Sequence, residues 1–276
     1  MRRAPAEGLL ILTTAVWGST FLIIKLLVGE DGATSPAVLL AVRFGLAALL
    51  ALLPLRPRKL PGRTEFIGGM VIGLAALGGY FFQTLGLVHT TPSRSGFITS
   101  LFVLFVPFVS RFWERARIPL RIWLALIPAA FGLWAISGVG RGIAELNPGD
   151  LITLLSAFCF TFQIVGIQIY TKKGDWKWIT IFQFLVVGAG CGIGILFEAD
   201  PRLSAEIFDL SAIFYLAAVA TVGALGIQMF AQRFTTSARA SLIYIAEPIF
   251  ASGFAYLAIG DRLSPLESVG AAAIIL

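Results

Sequence analysis

The chain has 276 residues, of which 58% are hydrophobic and only 13% charged, with 21 basic and 15 acidic side chains. So little charge cannot cover a water-soluble surface, which excludes a soluble enzyme, a disordered chain and a nucleic-acid binder despite the formal net charge of +6. Cys159 and Cys191 sit in apolar runs and His89 is the lone histidine, so no disulfide framework, zinc cluster or other cofactor site is expected.

A helix crosses the hydrocarbon core with about 20 mostly apolar residues. Runs of that kind lie near 8–28, 36–53, 66–88, 94–113, 120–139, 149–171, 178–197, 210–232 and 240–259. Their dense glycine and β-branched content suggests strands in water, but in lipid a helix satisfies its own backbone and is the expected form. The first run follows Arg2 and Arg3, holds Trp17-Gly18-Ser19 and lacks a small-residue cleavage site, so it reads as a retained helix and not a signal peptide. A tenth run starts at Pro265 and ends twelve residues later at Leu276. That is about 18 Å of helix, too short for a bilayer, so the natural chain is expected to continue and complete the span. The fold class is therefore all-α and integral to a membrane, with ten transmembrane helices.

Loop charge sets the orientation. With the N-terminus inside, the inner segments hold clusters such as Arg56-Arg58-Lys59-Arg63, Arg111-Arg115-Arg117-Arg121 and Lys172-Lys173-Lys177, with Arg233 and Arg239. The outer segments hold most of the acids, among them Glu30, Asp31, Glu145, Asp150, Asp200 and Asp261. Both termini are then cytoplasmic, in a multi-pass protein of the cytoplasmic (inner) membrane, and the basic excess serves orientation and anionic lipid.

The chain resembles itself. Thr90-Thr91-Pro92-Ser93-Arg94 and Thr235-Thr236-Ser237-Ala238-Arg239 stand 145 residues apart, as do Gln83 and Gln228. Near the start, an offset of about 141 pairs Gly8 with Gly149 and Trp17 with Phe158. The offset spans five helices, and an odd number inverts the second copy. Residues 1–141 and 142–276 then form two inverted five-helix repeats of one transport domain, an arrangement recurrent in secondary transporters, with the substrate between the halves.

Several short elements point to a family. Trp17-Gly18-Ser19-Thr20-Phe21, Arg43-Phe44, Gly149-Asp150-Leu151, Glu247-Pro248 and the turn Asp261-Arg262-Leu263-Ser264-Pro265 resemble the EamA-type drug/metabolite transporter superfamily over the whole chain, most closely its YddG-type amino-acid exporters. The resemblance implies a ten-helix inverted fold that exports small organic metabolites, amino acids among them. The first half departs from it, because Phe102-Val103 stands where Glu247-Pro248 falls in the second.

A transport path needs small, polar or aromatic residues along single helix faces. The mid-span candidates for the cavity are Trp17, Phe21, Tyr80, Gln83, Thr99, Phe158, Phe162, Gln163, Gln228, Tyr244 and Glu247. Amides in hydrocarbon must find a partner or water, and rings with amides suit a zwitterion or an organic cation. Glu247 is a functional candidate as an intramembrane carboxylate. Arg43, near the outer third of its span, is expected to snorkel outward or to pair with Glu30 or Asp31. Phe102, Phe105, Phe112 and Phe214 are expected to face lipid, and Gly188, Gly190, Gly192 and Gly194 to serve helix packing. Pro92, Pro107 and Pro248 are candidate hinges.

The expected function is a secondary transporter, not an enzyme, exporting amino acids or similar metabolites by alternating access, with protons as a candidate coupling ion. An exporter of drug-like aromatic cations is the alternative. A membrane-embedded transferase ranks lower because the acids are scattered, a channel because the chain carries its own inverted symmetry, and no P-loop for ATP is present.

Overall fold

The computed structural model describes residues 3–30, 32–57, 59–136, 147–262 and 264–275. Ten helical segments follow one another in these residues: α1 (Arg3–Val28), α2 (Pro36–Leu55), α3 (Arg63–His89), α4 (Pro92–Phe112), α5 (Leu120–Ile136), α6 (Pro148–Tyr170), α7 (Trp176–Phe197), α8 (Ile207–Phe234), α9 (Ser237–Ile259) and α10 (Pro265–Ile275). Eight of them are long and apolar enough to cross a membrane. The fifth has 17 residues and the tenth has 11, and these two pack along each other. The boundary expected at 141/142, with Arg141 and Glu145, lies outside the described residues, as does Asp31.

Short loops make successive helices antiparallel, so the bundle has two ends. One, the proximal end, gathers the start of α1, the α2–α3 and α8–α9 turns and the start of α7. The distal end gathers the end of α1, the α3–α4 turn, the start of α6 and the α9–α10 turn. Helix starts are marked by side-chain caps. Thr91, Asn147, Asp175 and Thr236 each accept a hydrogen bond from a backbone N–H two or three residues on, satisfying donors that the first turn leaves open.

The core is built by α3 lying along α6 and α7, with α2 against α7 and α1 against α9. Glycine permits the close crossings. A Cβ at Gly73 would lie 2.7 Å from Val186 Cβ, and one at Gly188 would lie 3.0 Å from the Gly45 backbone nitrogen. Gly192 departs from the packing expectation, since nothing lies within 4 Å of its notional Cβ. The most consequential contact joins α1 to α9. At Gly18 a Cβ would meet the Ala251 nitrogen at 2.9 Å and the Glu247 carbonyl at 3.0 Å, so the Trp17-Gly18-Ser19 element presses directly on the Glu247-Pro248 element.

Three helices are irregular. Residues Ser100 and Leu101 interrupt α4, and Ile245 and Ala246 interrupt α9. Of the expected hinges, Pro248 sits at this second interruption, whereas Pro92 merely opens α4 and Pro107 lies inside its second part. Pro92 and Pro248 both lie in the first turn of their helical segments, where a proline costs the helix no hydrogen bond. The third irregularity is a ten-residue π-helical stretch in α8, Leu216–Leu225. Wide turns of this kind mark functional positions.

Gly73→Val should overpack α3 against α7 and cost about 1–3 kcal/mol, read as a lowered thermal midpoint of the detergent-purified protein. Gly192→Ala should leave the midpoint unchanged. Equal effects of the two would discount the close α3–α7 crossing.

Candidate functional site

The middle of the bundle contains a cavity lined from α1, α2, α3, α4, α6, α8 and α9. Eight expected residues line it: Trp17, Tyr80, Gln83, Thr99, Gln163, Gln228, Tyr244 and Glu247. They come from six helices, α1, α3, α4, α6, α8 and α9, whose mid-span groups converge on one space.

Three expected residues lie elsewhere. Phe21 is buried among Ile24, Leu27 and Leu87, one position round the helix from the cavity-lining Thr20. Phe158 is 52% exposed and packs edge-on against Phe105 and Phe162 on the outer surface. Phe162 meets Trp113. The α6 ring that faces the cavity is Phe160. Trp17 and Phe160, 143 residues apart, both line the cavity, whereas Phe158, 141 residues from Trp17, does not. Phe102 corrects a second expectation: it is buried and lines the cavity instead of facing lipid.

Arg43 is the largest correction. It neither snorkels nor pairs with Glu30; it is 1% exposed and lines the cavity. Its Nε donates to Thr221 Oγ1 at 2.8 Å, and its guanidinium carbon lies 5.2 and 5.3 Å from the ring centres of Phe44 and Tyr80. Thr221 sits in the π-helical stretch and donates in turn to the Leu216 carbonyl at 2.8 Å. That stretch also presents the Ala220 carbonyl, which accepts from Trp17 Nε1 at 3.2 Å. No sequence pattern signals the π-helical turns, so the partner that holds Arg43 in the interior was invisible in the sequence.

The remaining polar groups form short chains. Tyr244 donates its hydroxyl to Gln232 Oε1 at 3.1 Å, and Gln232 Nε2 donates to the Ile164 carbonyl at 2.7 Å. Gln83 Nε2 donates to Thr99 Oγ1 at 3.2 Å. Gln163 Nε2, Gln228 Oε1 and Arg43 Nη1 are buried without a hydrogen-bond partner, as is the whole amide of Gln183, which lies off the cavity on α7. Glu247, in the first turn of the second part of α9, is the one carboxylate among the described residues lining the cavity. The rings close the space, Trp17 edge-on to Tyr244 at 5.6 Å and Tyr80 edge-on to Phe160 at 5.1 Å. The enclosed volume is about 40 Å³, room for a few waters, so an organic molecule enters only if the helices part.

At each end of the bundle a polar clasp lies above or below this cavity. At the distal end Asp150 accepts from Thr90 Oγ1 at 2.6 Å and pairs with Arg94 at 2.6 Å, while Ser93 donates to Asp261 at 2.6 Å. At the proximal end Glu7 accepts from Thr235 Oγ1 at 2.9 Å and faces Arg239 at 3.9 Å, while Ser237 donates to Glu114. Glu7 also pairs with Arg3 at 2.8 Å. No three His, Cys, Asp or Glu side chains among the described residues are grouped to hold a metal.

Comparison with known proteins agrees with this architecture. The EamA-like transporter family model matches twice, over residues 5–138 and 147–276. An uncharacterized transporter of Archaeoglobus fulgidus is 28% identical over 279 residues, covering 100% of this chain and 85% of the relative. An uncharacterized transporter of Synechocystis is 24% identical, covering 95% of this chain and 85% of the relative. A solved crystal structure aligns with a TM-score of 0.75 at 17% identity, covering 99% of this chain and 95% of that one, which shows a shared fold. The protein is a multi-pass membrane protein and a transporter, and it belongs to the EamA-like transporter family.

Proposed function

We propose that the protein is a secondary transporter that exports amino acids or similar small organic metabolites across the cytoplasmic membrane, working by alternating access between two inverted halves, 1–141 and 142–276. The observation that carries this reading is the pairing of the cavity wall. At offsets of 143 or 145 residues, Trp17 matches Phe160, Thr20 matches Gln163, Tyr80 matches Leu225, Gln83 matches Gln228, Thr99 matches Tyr244 and Phe102 matches Glu247, and all of these line the cavity. The interruptions of α4 and α9 stand at the same offset, Ser100-Leu101 against Ile245-Ala246. A cavity built from the same positions of two antiparallel halves can be reached from either side by tilting one half against the other.

The clasps supply the gates in this reading. Each joins the start of α4 or α9 in one half to two acids of the other half, and Glu7 matches Asp150 at the offset of 143. Loop charge assigns the proximal end, which carries Arg56, Lys59, Lys172, Lys173 and Arg233, to the cytoplasm. The distal clasp is the tighter one: the Asp150 side chain is 1% exposed and paired with Arg94 at 2.6 Å, against 28% exposure and 3.9 Å to Arg239 for Glu7. The rings of Trp17, Tyr80 and Tyr244 beside Glu247 support a second reading, transport of an aromatic organic cation.

Uptake into proteoliposomes of labelled amino acids, with a quaternary aromatic cation alongside, separates the two. Saturable amino-acid flux, cut by Tyr80→Ala and Gln163→Ala, is the expected result; flux of the cation alone moves the assignment to the second reading. Any stimulation of flux by a pH gradient should vanish in Glu247→Gln, and stimulation that persists places the proton elsewhere. For the gates, a cysteine at Thr99 in a background lacking Cys159 and Cys191 should react faster with an impermeant maleimide. The acceleration should come from outside in Asp150→Asn and from the cytoplasmic side in Glu7→Gln, by about tenfold for a charge-assisted bond lost. Acceleration from the same side in both variants would contradict the assignment.

A further inference from the structure

Arg43 breaks the pairing of the cavity wall. The equivalent positions in α7, Val186 and Gly188 at the two offsets, carry no polar side chain, so the guanidinium is an addition to one half and not part of the shared frame. Its placement is costly, since a charged arginine at the centre of a span is unfavourable unless it is paired or hydrated. Among the described residues no carboxylate lies within 4 Å of it. One nitrogen is held by Thr221, two rings lie against the guanidinium, and Nη1 has no partner at a residue that is 1% exposed and lines the cavity. A planar guanidinium fixed on one edge and free on another presents donors in the geometry a carboxylate accepts.

Resting on the transporter reading above, we propose that Arg43 is the anion anchor of the cavity and that the cargo is a small monocarboxylate, with or without an amine, whose carboxylate is hydrogen-bonded to the free side of the guanidinium. The number of charges selects this class. Among the described residues Arg43 is the one cation lining the cavity, and Glu247 adds an acid from α9. A dianionic phosphate would leave an uncompensated negative charge in a closed, low-dielectric space, and an organic cation would meet the fixed guanidinium. A monocarboxylate neutralises Arg43 when Glu247 carries its proton, and a zwitterion balances both groups when Glu247 is ionised. The unpartnered Gln163 Nε2 and Gln228 Oε1 add a neutral donor and a neutral acceptor. Thr221 is then a positioning residue that aims the guanidinium from behind.

The test uses matched trios of probes: L-phenylalanine, L-leucine and L-glutamine, each with its decarboxylated amine and its deaminated acid. Binding is read as ligand-induced thermal stabilisation of the purified full chain, and flux in proteoliposomes. In at least one trio the amino acid and the acid should bind and the amine should not. Arg43→Gln should weaken the carboxylates by about ten- to a hundredfold, the worth of a charge-assisted hydrogen bond. Arg43→Lys, which keeps the charge and loses the fork, should fall between, and so guards against a glutamine variant that fails to fold. Thr221→Val, which removes the bond behind the guanidinium, should retain the preference for acid over amine. An amine that binds as well as its amino acid, an unchanged acid-to-amine ratio in Arg43→Gln and Arg43→Lys, or a panel in which no carboxylate binds would each overturn the proposal. Saturable flux of a quaternary cation, unaltered by Arg43→Gln, overturns this proposal while leaving a transporter of the same fold, whereas absence of saturable flux for every compound removes the amino-acid and metabolite export reading on which it rests.

Discussion

A polar group inside a bilayer has no water to replace a missing partner, and the protein must supply one or enclose the group. The interior follows from this constraint. The amides and hydroxyls of Gln83, Thr99, Gln228, Gln232 and Tyr244 turn inward because the outward direction is hydrocarbon, and there they meet one another. Three of the residues left with unmatched atoms, Gln163, Gln228 and Arg43, line one central space, while the unmatched amide of Gln183 lies off it. The same demand shapes α8. Its π-helical turns bring the Ala220 carbonyl to Trp17 and the Thr221 hydroxyl to Arg43, two groups that a regular helix would place differently.

The two ends of the bundle carry clasps of similar composition, each joining the start of α4 or α9 to two acids. Gly18 matters here because it lets α1 lie on the interruption of α9 at backbone distance, so that a tilt of one helix is felt directly at Glu247. Under the proposed pairing of the halves, departures from equivalence carry specificity. Glu247 stands opposite Phe102, Tyr80 opposite Leu225, and Arg43 has no polar counterpart.

Much of this was legible before any coordinates. The eight long spans follow from runs of apolar residues, and the convergence of Trp17, Tyr80, Gln83, Thr99, Gln163, Gln228, Tyr244 and Glu247 follows from an amide, hydroxyl, ring or acid placed mid-span. The errors also have a common origin. Phe158 and Phe160 are two positions apart on α6, and composition around them does not say which faces inward. The offset of 141 points to Phe158, whereas Phe160 lines the cavity. Phe102 was assigned to lipid because a phenylalanine in a span needs no partner, and only the packing of α4 against α9 shows it inside.

The sequence by itself determined the membrane class and the helical form, because hydrophobic length and residue spacing act locally along the chain. It also named the polar residues that the bilayer would force inward. Tertiary structure decided which of them share a cavity, which ring of α6 faces it, and above all the fate of Arg43. A charge near the end of a span can snorkel or stay, and the choice depends on a partner 178 residues away, Thr221, in turns whose geometry no local pattern encodes. Long-range partners of this kind exist only once the helices have packed, which is why they lie beyond what a linear pattern can show.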